Sequence, residues 1–245
     1  MMNIKVAHLY YDLMNLYGES GNVKALKMQL EGQGIKTTIK FLTIDDDLNF
    51  KDYDIVYIGS GTENNQKIVL NHLLKYKKDI EDAIEKGVYF ICTGNALELF
   101  GNVIEDVNNK KYTALGMFDF DVKQEEVRMV DEVLFKTDLI NKYILGFQNQ
   151  SGHIKSDILN LFDVVKGIGS YIGSKKEGIH YKNFYGTYVI GPILVRNPEL
   201  LKYLVKEIIN KNNKNFKFKK FNQKLEIEAY DNFMSRNYQE YISNK

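Results

Sequence analysis

The first half of the chain alternates short apolar runs with segments of helical spacing. Residues 4–10 (IKVAHLY) form a short, nearly continuous apolar run, the pattern of a buried strand. Residues 21–31 place Val23, Leu26 and Leu30 on one helical stripe and stop at Gly32 and Gly34. Residues 35–42 and 55–58 predict two more strands, the second running into Gly59-Ser60-Gly61. Residues 71–86 predict a helix with Leu74, Ile80 and Ile84 inward and Gly87 as its stop, followed by a strand over 88–92. The turn Thr93-Gly94-Asn95 then leads at once into a short helix, Ala96 to Phe100, closed by Gly101. Strands alternating with helices in this way predict a mostly parallel sheet with helices on both faces.

The second half reads differently. Residues 118–122, 126–135 and 143–147 predict longer, partly antiparallel strands, with another at 161–165. A glycine-rich loop, 167–178, precedes a strand at 184–190. Pro198 sits where a helix favours proline, in its first turn, and the helix is expected to run to about Ile209. A lysine-rich connector over 210–220 leads to a last helix, roughly 225–241. Leu225, Ala229 and Phe233 fall on one stripe of that helix, with Tyr230, Met234, Tyr238 and Tyr241 beside it. No internal repeat or low-complexity linker divides the chain. The expected organisation is one domain over residues 1–209, with the connector and C-terminal helix (210–245) packing on it or on a partner.

Composition narrows the function classes. Of 245 residues, 44% are hydrophobic and 27% charged, the profile of a globular protein with a sizeable core. The formal net charge is +1, so no global field argues for nucleic acid or a membrane surface as partner. No stretch is long and apolar enough to span a bilayer, and no signal peptide is evident at the start. The single cysteine, Cys92, allows no internal disulfide, as suits a reducing compartment, so a cytoplasmic location is expected.

The chemistry centres on residues 87–101, GVYFICTGNALELFG. A strand ending in a sharp turn of small residues, followed immediately by a helix, exposes one side chain above a sheet and aims helix N–H groups at it. This stretch resembles the nucleophile elbow of class I (triad-type) glutamine amidotransferases. The branch is that of cobyric acid synthases and the glutaminase subunit of lipid II isoglutaminyl synthase. That family reads roughly G-x-x-x-x-x-x-C-G-G-Y-Q-x-L-G. Laid down without a gap, its outer glycines fall on Gly87 and Gly101, its glutamine on Glu98 and its paired glycines on Asn95 and Ala96. Its nucleophilic cysteine falls on Gly94.

The resemblance covers most of the chain. Residues 12–26 (DLMNLYGESGNVKAL) are similar to the N-terminal loop and helix of the isoglutaminyl synthase subunit. Gly59, Ser60 and Gly61 match the oxyanion-loop glycines, and Gln66 a nearby glutamine. Residues 177–183 with Gly186-Thr187-Tyr188 and Gly191-Pro192 match the strand carrying the catalytic base, G-T-Y-x-H-G-P, and the histidine falls on Ile190. A third motif, G-F-E-N-H-G-G-R, corresponds to residues 146–153, where Gln148, Gln150 and His153 replace its Glu, His and Arg; Asn149 is retained.

The resemblance implies a flavodoxin-like three-layer sandwich, with a mostly parallel central sheet and some antiparallel edge strands. It also implies a partnership with a Mur-ligase-like, ATP-using synthetase that receives ammonia. With hydrogen in place of the thiol and a hydrocarbon in place of the imidazole, glutamine hydrolysis by that route has no nucleophile and no base. The expectation is a catalytically degenerate, binding or regulatory subunit of such a ligase. Two alternatives stay open. One is altered chemistry on another small molecule held by Glu98, Asn95, Gln148, Gln150 and His153. The other is an active glutaminase using Cys92, although a thiol inside an apolar strand is usually a buried hydrophobe.

Several weaker signals complete the reading. Glu98 is read either as a pocket carboxylate, which would repel the carboxylate of bound glutamine, or as a solvated helix residue. The partial G-x-G-x-x-G at 59–64 lacks its third glycine and fits an oxyanion loop better than a dinucleotide site. His180 is read as a surface or packing histidine, His8 and His72 have no ligand-spaced partners, and no Cys/His/Asp cluster has zinc spacing, so no metal and no cofactor are expected. The Lys-Phe interleaving at 211–220 resembles a nucleic-acid stripe but, at near-neutral total charge, is read as a docking segment with outward lysines.

Overall fold

The structure, a computed structural model, describes residues 2–242. Its strands are β1 (Asn3–Leu9), β2 (Lys36–Leu42), β3 (Ile55–Ile58), β4 (Tyr89–Thr93), β5 (Val103–Glu105), β6 (Lys111–Thr113), β7 (Asp121–Lys136), β8 (Ile144–Ile154), β9 (Phe162–Lys166), β10 (Lys176–Glu177), β11 (Ile179–Tyr181) and β12 (Phe184–Thr187). The helices are α1 (Ser20–Gly32), α2 (Glu63–Leu73), α3 (Lys77–Glu85), α4 (Ile193–Arg196), α5 (Pro198–Asn212), α6 (Lys224–Asn237) and α7 (Gln239–Ile242).

The main sheet has the order β11-β12-β4-β3-β1-β2, parallel throughout except for β11 at one edge. Its strands are apolar because both faces are covered. On one face Ala7, Val56, Phe90 and Cys92 pack against Val69, Leu73 and Ile80 of α2 and α3. On the other, Val6, Tyr57 and Ile91 pack against Leu26 of α1 and Leu204 and Ile208 of α5. This is the three-layer arrangement that the alternation of elements predicts.

Most antiparallel strands form a second sheet, β10-β9-β7-β5-β6, with β8 paired to β7. The two strands expected at 118–122 and 126–135 are one long strand, β7, broken by a bulge between Gln124 and Met129. A single bridge, Phe147 to Ile190, ties β8 to the segment following β12. It brings the second sheet over the carboxyl ends of the first.

Two helical expectations change. The helix read over 71–86 is two helices joined by a tight turn at 74–76, and the first begins eight residues earlier than the sequence suggests. Its polar opening, ENNQK, resembles a loop. The Thr62 side chain caps it by accepting from the Asn65 N–H at 3.1 Å. In the C-terminal helix, Leu225 and Ala229 are exposed. The buried stripe is Tyr230, Met234 and Tyr238, which covers Leu134 and Leu145 of the second sheet.

Candidate functional site

Three chain segments meet where β3, β4 and β12 end. The register pairs Ile58 with Cys92, and Gly186-Thr187 with Cys92-Thr93. Gly59-Ser60-Gly61, the turn at Gly94 and the segment 188–190 therefore converge at the carboxyl edge of a parallel sheet, the usual place for a site in this architecture.

Gly94 opens a tight 3-10 helix, Gly94–Phe100, and has φ +62, a left-handed conformation that a side chain adopts only at a cost. The space above it is already filled. A Cβ built on Gly94 would lie 2.5 Å from both Cβ and Oγ of Ser60, and 2.9 Å from Cγ2 of Ile190. Ile190 itself is buried. Cys92, two residues earlier, lies inside the core, among the side chains packed under α2 and α3. Burial pushes its thiol well above the ordinary range, which suppresses the thiolate needed for reactivity. Cys92 in the native protein is expected to resist a thiol reagent and to react only on unfolding; fast labelling without denaturant would contradict this burial.

The backbone donors of the glycine loop are engaged inside the protein. The Ser60 N–H donates to the carboxylate of Glu19, and the Gly61 N–H donates to Asn95 Oδ1 at 3.0 Å. Asn95 also accepts from Ser60 Oγ (3.2 Å) and returns its Nδ2 to the Gly61 carbonyl (2.9 Å). Its amide thus clamps the loop to the turn. Asn95→Ala leaves the Gly61 N–H and carbonyl unpartnered and is expected to destabilise the fold by about 2 kcal/mol, measured by chemical unfolding.

Glu98 lies at the centre of a buried network and is fully excluded from solvent, so it is not a solvated helix residue. Its Oε2 accepts from Gln66 Nε2 (2.8 Å) and Gln124 Nε2 (2.9 Å), and its Oε1 accepts from Tyr188 Oη (3.1 Å). Gln66 also donates to the Asn95 carbonyl at 2.7 Å. β8 crosses directly above: a Cβ on Gly152 would collide with the Glu98 carboxylate. Tyr188 links this network to a second buried carboxylate. Its N–H donates to Glu177 (2.7 Å), which also accepts from the Thr187 hydroxyl (2.7 Å).

Glu19, Glu98 and Glu177 are all fully buried, and none forms an ion pair among the described residues. Loss of hydration raises each carboxyl to about 7. Hydrogen bonds oppose that rise: from Ser60 and Thr93 at Glu19, from Gln66, Gln124 and Tyr188 at Glu98, and from Tyr188 and Thr187 at Glu177. Glu19 and Glu177 carry no local sign of this role. The first precedes a helix, where a solvated carboxylate is ordinary, and the second follows two lysines.

The remaining sequence candidates lie on β8 and divide by face. Gln148 is buried and bonds Gln150 (3.0 Å) and both backbone groups of Gly169. Gln150 is buried and donates to the carbonyls of Gly152 and Ser170. Both glutamines fasten β8 to the glycine-rich loop. Asn149 and His153 are half-buried. Asn149 accepts from Arg128 Nε at 2.6 Å, and Arg128 in turn pairs with Glu63. His153 opens on a shallow surface groove with Lys123, Lys155 and Asp121, away from Gly94's filled turn. Among the described residues, no group of three His, Cys, Asp or Glu side chains is placed to hold a metal ion.

A glycine loop and a strand–turn–helix elbow at the carboxyl edge of this sheet define the scaffold of a class I glutamine amidotransferase. Residues 5–198 match the CobB/CobQ-like glutamine amidotransferase domain, and the chain belongs to that family. It is 30% identical over 229 residues to the lipid II isoglutaminyl synthase (glutamine-hydrolyzing) subunit GatD of Staphylococcus aureus, covering 94% of both chains. It is also 30% identical to the protein of the same name in Streptococcus pneumoniae, covering 95% of this chain and 88% of that one. Among solved structures, the glutaminase domain of a Trypanosoma brucei CTPS with bound acivicin superposes with a TM-score of 0.54. It covers 90% of this chain and 97% of that one at 8% identity, a likeness of fold alone.

Proposed function

We propose that this chain is a non-hydrolysing amidotransferase-like subunit that binds and regulates an ATP-dependent, amide-forming ligase of the Mur-ligase-like kind. The observation that carries the reading is the filled turn: Ser60 and Ile190 occupy the volume that a nucleophile on Gly94 would need. Two further facts support it. The donors that would hold an oxyanion are bonded to Glu19 and Asn95. Both GatD relatives are named as subunits of a synthase, so an assembly partner is the natural context for the scaffold. The alternative of a different small molecule at the elbow loses four of its five polar groups, because Asn95, Glu98, Gln148 and Gln150 are bonded within the protein.

The test is ammonia release from glutamine by the purified chain, alone and with a Mur-ligase-like protein encoded beside it. No release above a Cys92→Ser control is expected in either case, together with stable co-elution of the two proteins. Hydrolysis by the wild type that disappears in Cys92→Ser would overturn the proposal.

A further inference from the structure

The near-zero total charge conceals a strongly uneven surface. Between residues 211 and 224 there are six lysines and no acidic residue. The connector joins α5 to α6 without regular structure of its own, yet its path is fixed. Buried Gln33 bonds both backbone groups of Lys219, accepting from its N–H at 2.8 Å and donating to its carbonyl at 3.3 Å. Gln29 donates to the Asn222 carbonyl, and buried Gln223 to the Pro198 carbonyl at 3.0 Å. Phe216, Phe218 and Phe221 turn inward onto the core formed with α1 and α5. The strap is therefore a built surface, with phenylalanines below and lysines above.

Lys214, Lys217, Lys219 and Lys220 are all exposed, and none forms an ion pair among the described residues. Lys219 and Lys220 share a shallow groove with Lys206 of α5, with Lys202 and its ion-pair partner Glu199 on the same helix, and with Ile227 of α6. Beside them, at the start of α6, Leu225 projects into solvent with 76% of its surface exposed.

From this geometry we infer that the strap and the first turn of α6 form a peripheral docking surface for an anionic phospholipid bilayer. Four to eight clustered lysines supply the electrostatic attraction such surfaces exert, and each lysine near the headgroups contributes about fivefold in affinity. A protruding leucine supplies the second, apolar contact that reversible membrane binding requires. Single-stranded nucleic acid fits less well, because it needs aromatic faces on which bases stack. Here those rings pack on the core and on one another, with Phe216 and Phe218 5.1 Å apart and Phe218 and Phe221 6.3 Å apart. No helix is long and apolar enough to cross a membrane, so the contact is at the surface.

The test is co-sedimentation of the full chain with vesicles of phosphatidylcholine, or of equal parts phosphatidylcholine and phosphatidylglycerol, at low and high salt. Binding is expected to the anionic vesicles only and to fall as salt rises. Changing Lys214, Lys217, Lys219 and Lys220 together to glutamine is expected to weaken it at least tenfold. Leu225→Ser is expected to weaken it severalfold without changing the salt dependence. Lys36→Gln with Lys40→Gln, on the far edge strand β2, is expected to leave it unaltered, with all variants unfolding at the wild-type temperature. Three results overturn the inference: no preference for anionic vesicles, undiminished binding by the fourfold variant, or binding to single-stranded RNA or an acidic polypeptide more than tenfold tighter than to the vesicles.

Discussion

Gly94→Ala is expected to lower the stability of the protein by about 3 kcal/mol, although it adds only a single methyl group, because the turn it enters is buried. Two effects combine. A residue other than glycine at φ +62 costs roughly 1–2 kcal/mol. The new carbon also meets Ser60 at 2.5 Å and Ile190 at 2.9 Å, and relieving such overpacking costs about 1–3 kcal/mol more. For a chain of this size the melting temperature should fall by roughly 6–12 °C. Ser60→Gly removes the nearer of the two contacts and leaves Ile190, so the penalty of Gly94→Ala should shrink by about 1 kcal/mol in that background, a coupling that a double-mutant cycle reads directly. The left-handed cost should remain. If Gly94→Ala melts with the wild type, the turn is not built as described.

The same geometry bears on a variant that carries the family's motif residues. Gly94→Cys combined with Ile190→His supplies a thiol and an imidazole, but it leaves the Ser60 and Gly61 N–H groups on Glu19 and Asn95. An oxyanion donor contributes only when it is free to face the developing charge. The double variant is therefore expected to be destabilised and to release no ammonia from glutamine.

The backbone of the candidate site is legible in the sequence wherever a motif fixes it. Gly59-Ser60-Gly61, Gly94 and Ile190 occur at strand ends, and parallel pairing of those strands brings the ends together. What side chains do inside the site was not legible. Glu98 reads equally as surface or pocket because a three-turn window holds no information about β8, which arrives from 54 residues later to cover it at Gly152. Gln124 and Tyr188, which complete its hydrogen bonds, come from β7 of the second sheet and from the segment after β12 of the first. The second sheet was harder still. Alternation marks β7 and β8 as strands, but their place relative to the first sheet is set by long-range contacts, the Phe147–Ile190 bridge and the Gln124–Glu98 hydrogen bond among them. The start of α2 is hidden in the sequence because its inward face includes Gln66, a polar residue buried by a network rather than by apolar packing.

Glu98→Gln is expected to stabilise the protein at neutral and alkaline pH. Burial raises the folded-state carboxyl to about 7, against an ordinary 4.5, so the folded chain binds this proton more tightly than the unfolded chain. The wild type is therefore favoured below about pH 4.5 and loses stability as pH rises through 7. A shift of that size corresponds to about 3 kcal/mol at most once the group is ionised. Glutamine keeps the shape and never ionises. Its oxygen accepts from Gln66 and Gln124, while its amide donates to the Tyr188 hydroxyl, which rotates to receive it. The difference between variant and wild type should be near zero at about pH 4 and approach 3 kcal/mol at about pH 8. Glu98→Ala, by contrast, strands three buried donors and should destabilise at every pH. His8 works in the opposite sense. It is fully buried without a hydrogen bond, and burial lowers it to about 4. Its pH-dependent cost therefore appears as pH falls below about 6.5, and the gain from His8→Leu should grow on that side. Paired unfolding curves across this range separate the two groups. A Glu98→Gln curve parallel to the wild type's at every pH would mean that the carboxyl keeps its ordinary affinity for protons, and hence that water or a cation reaches a position the fold describes as sealed.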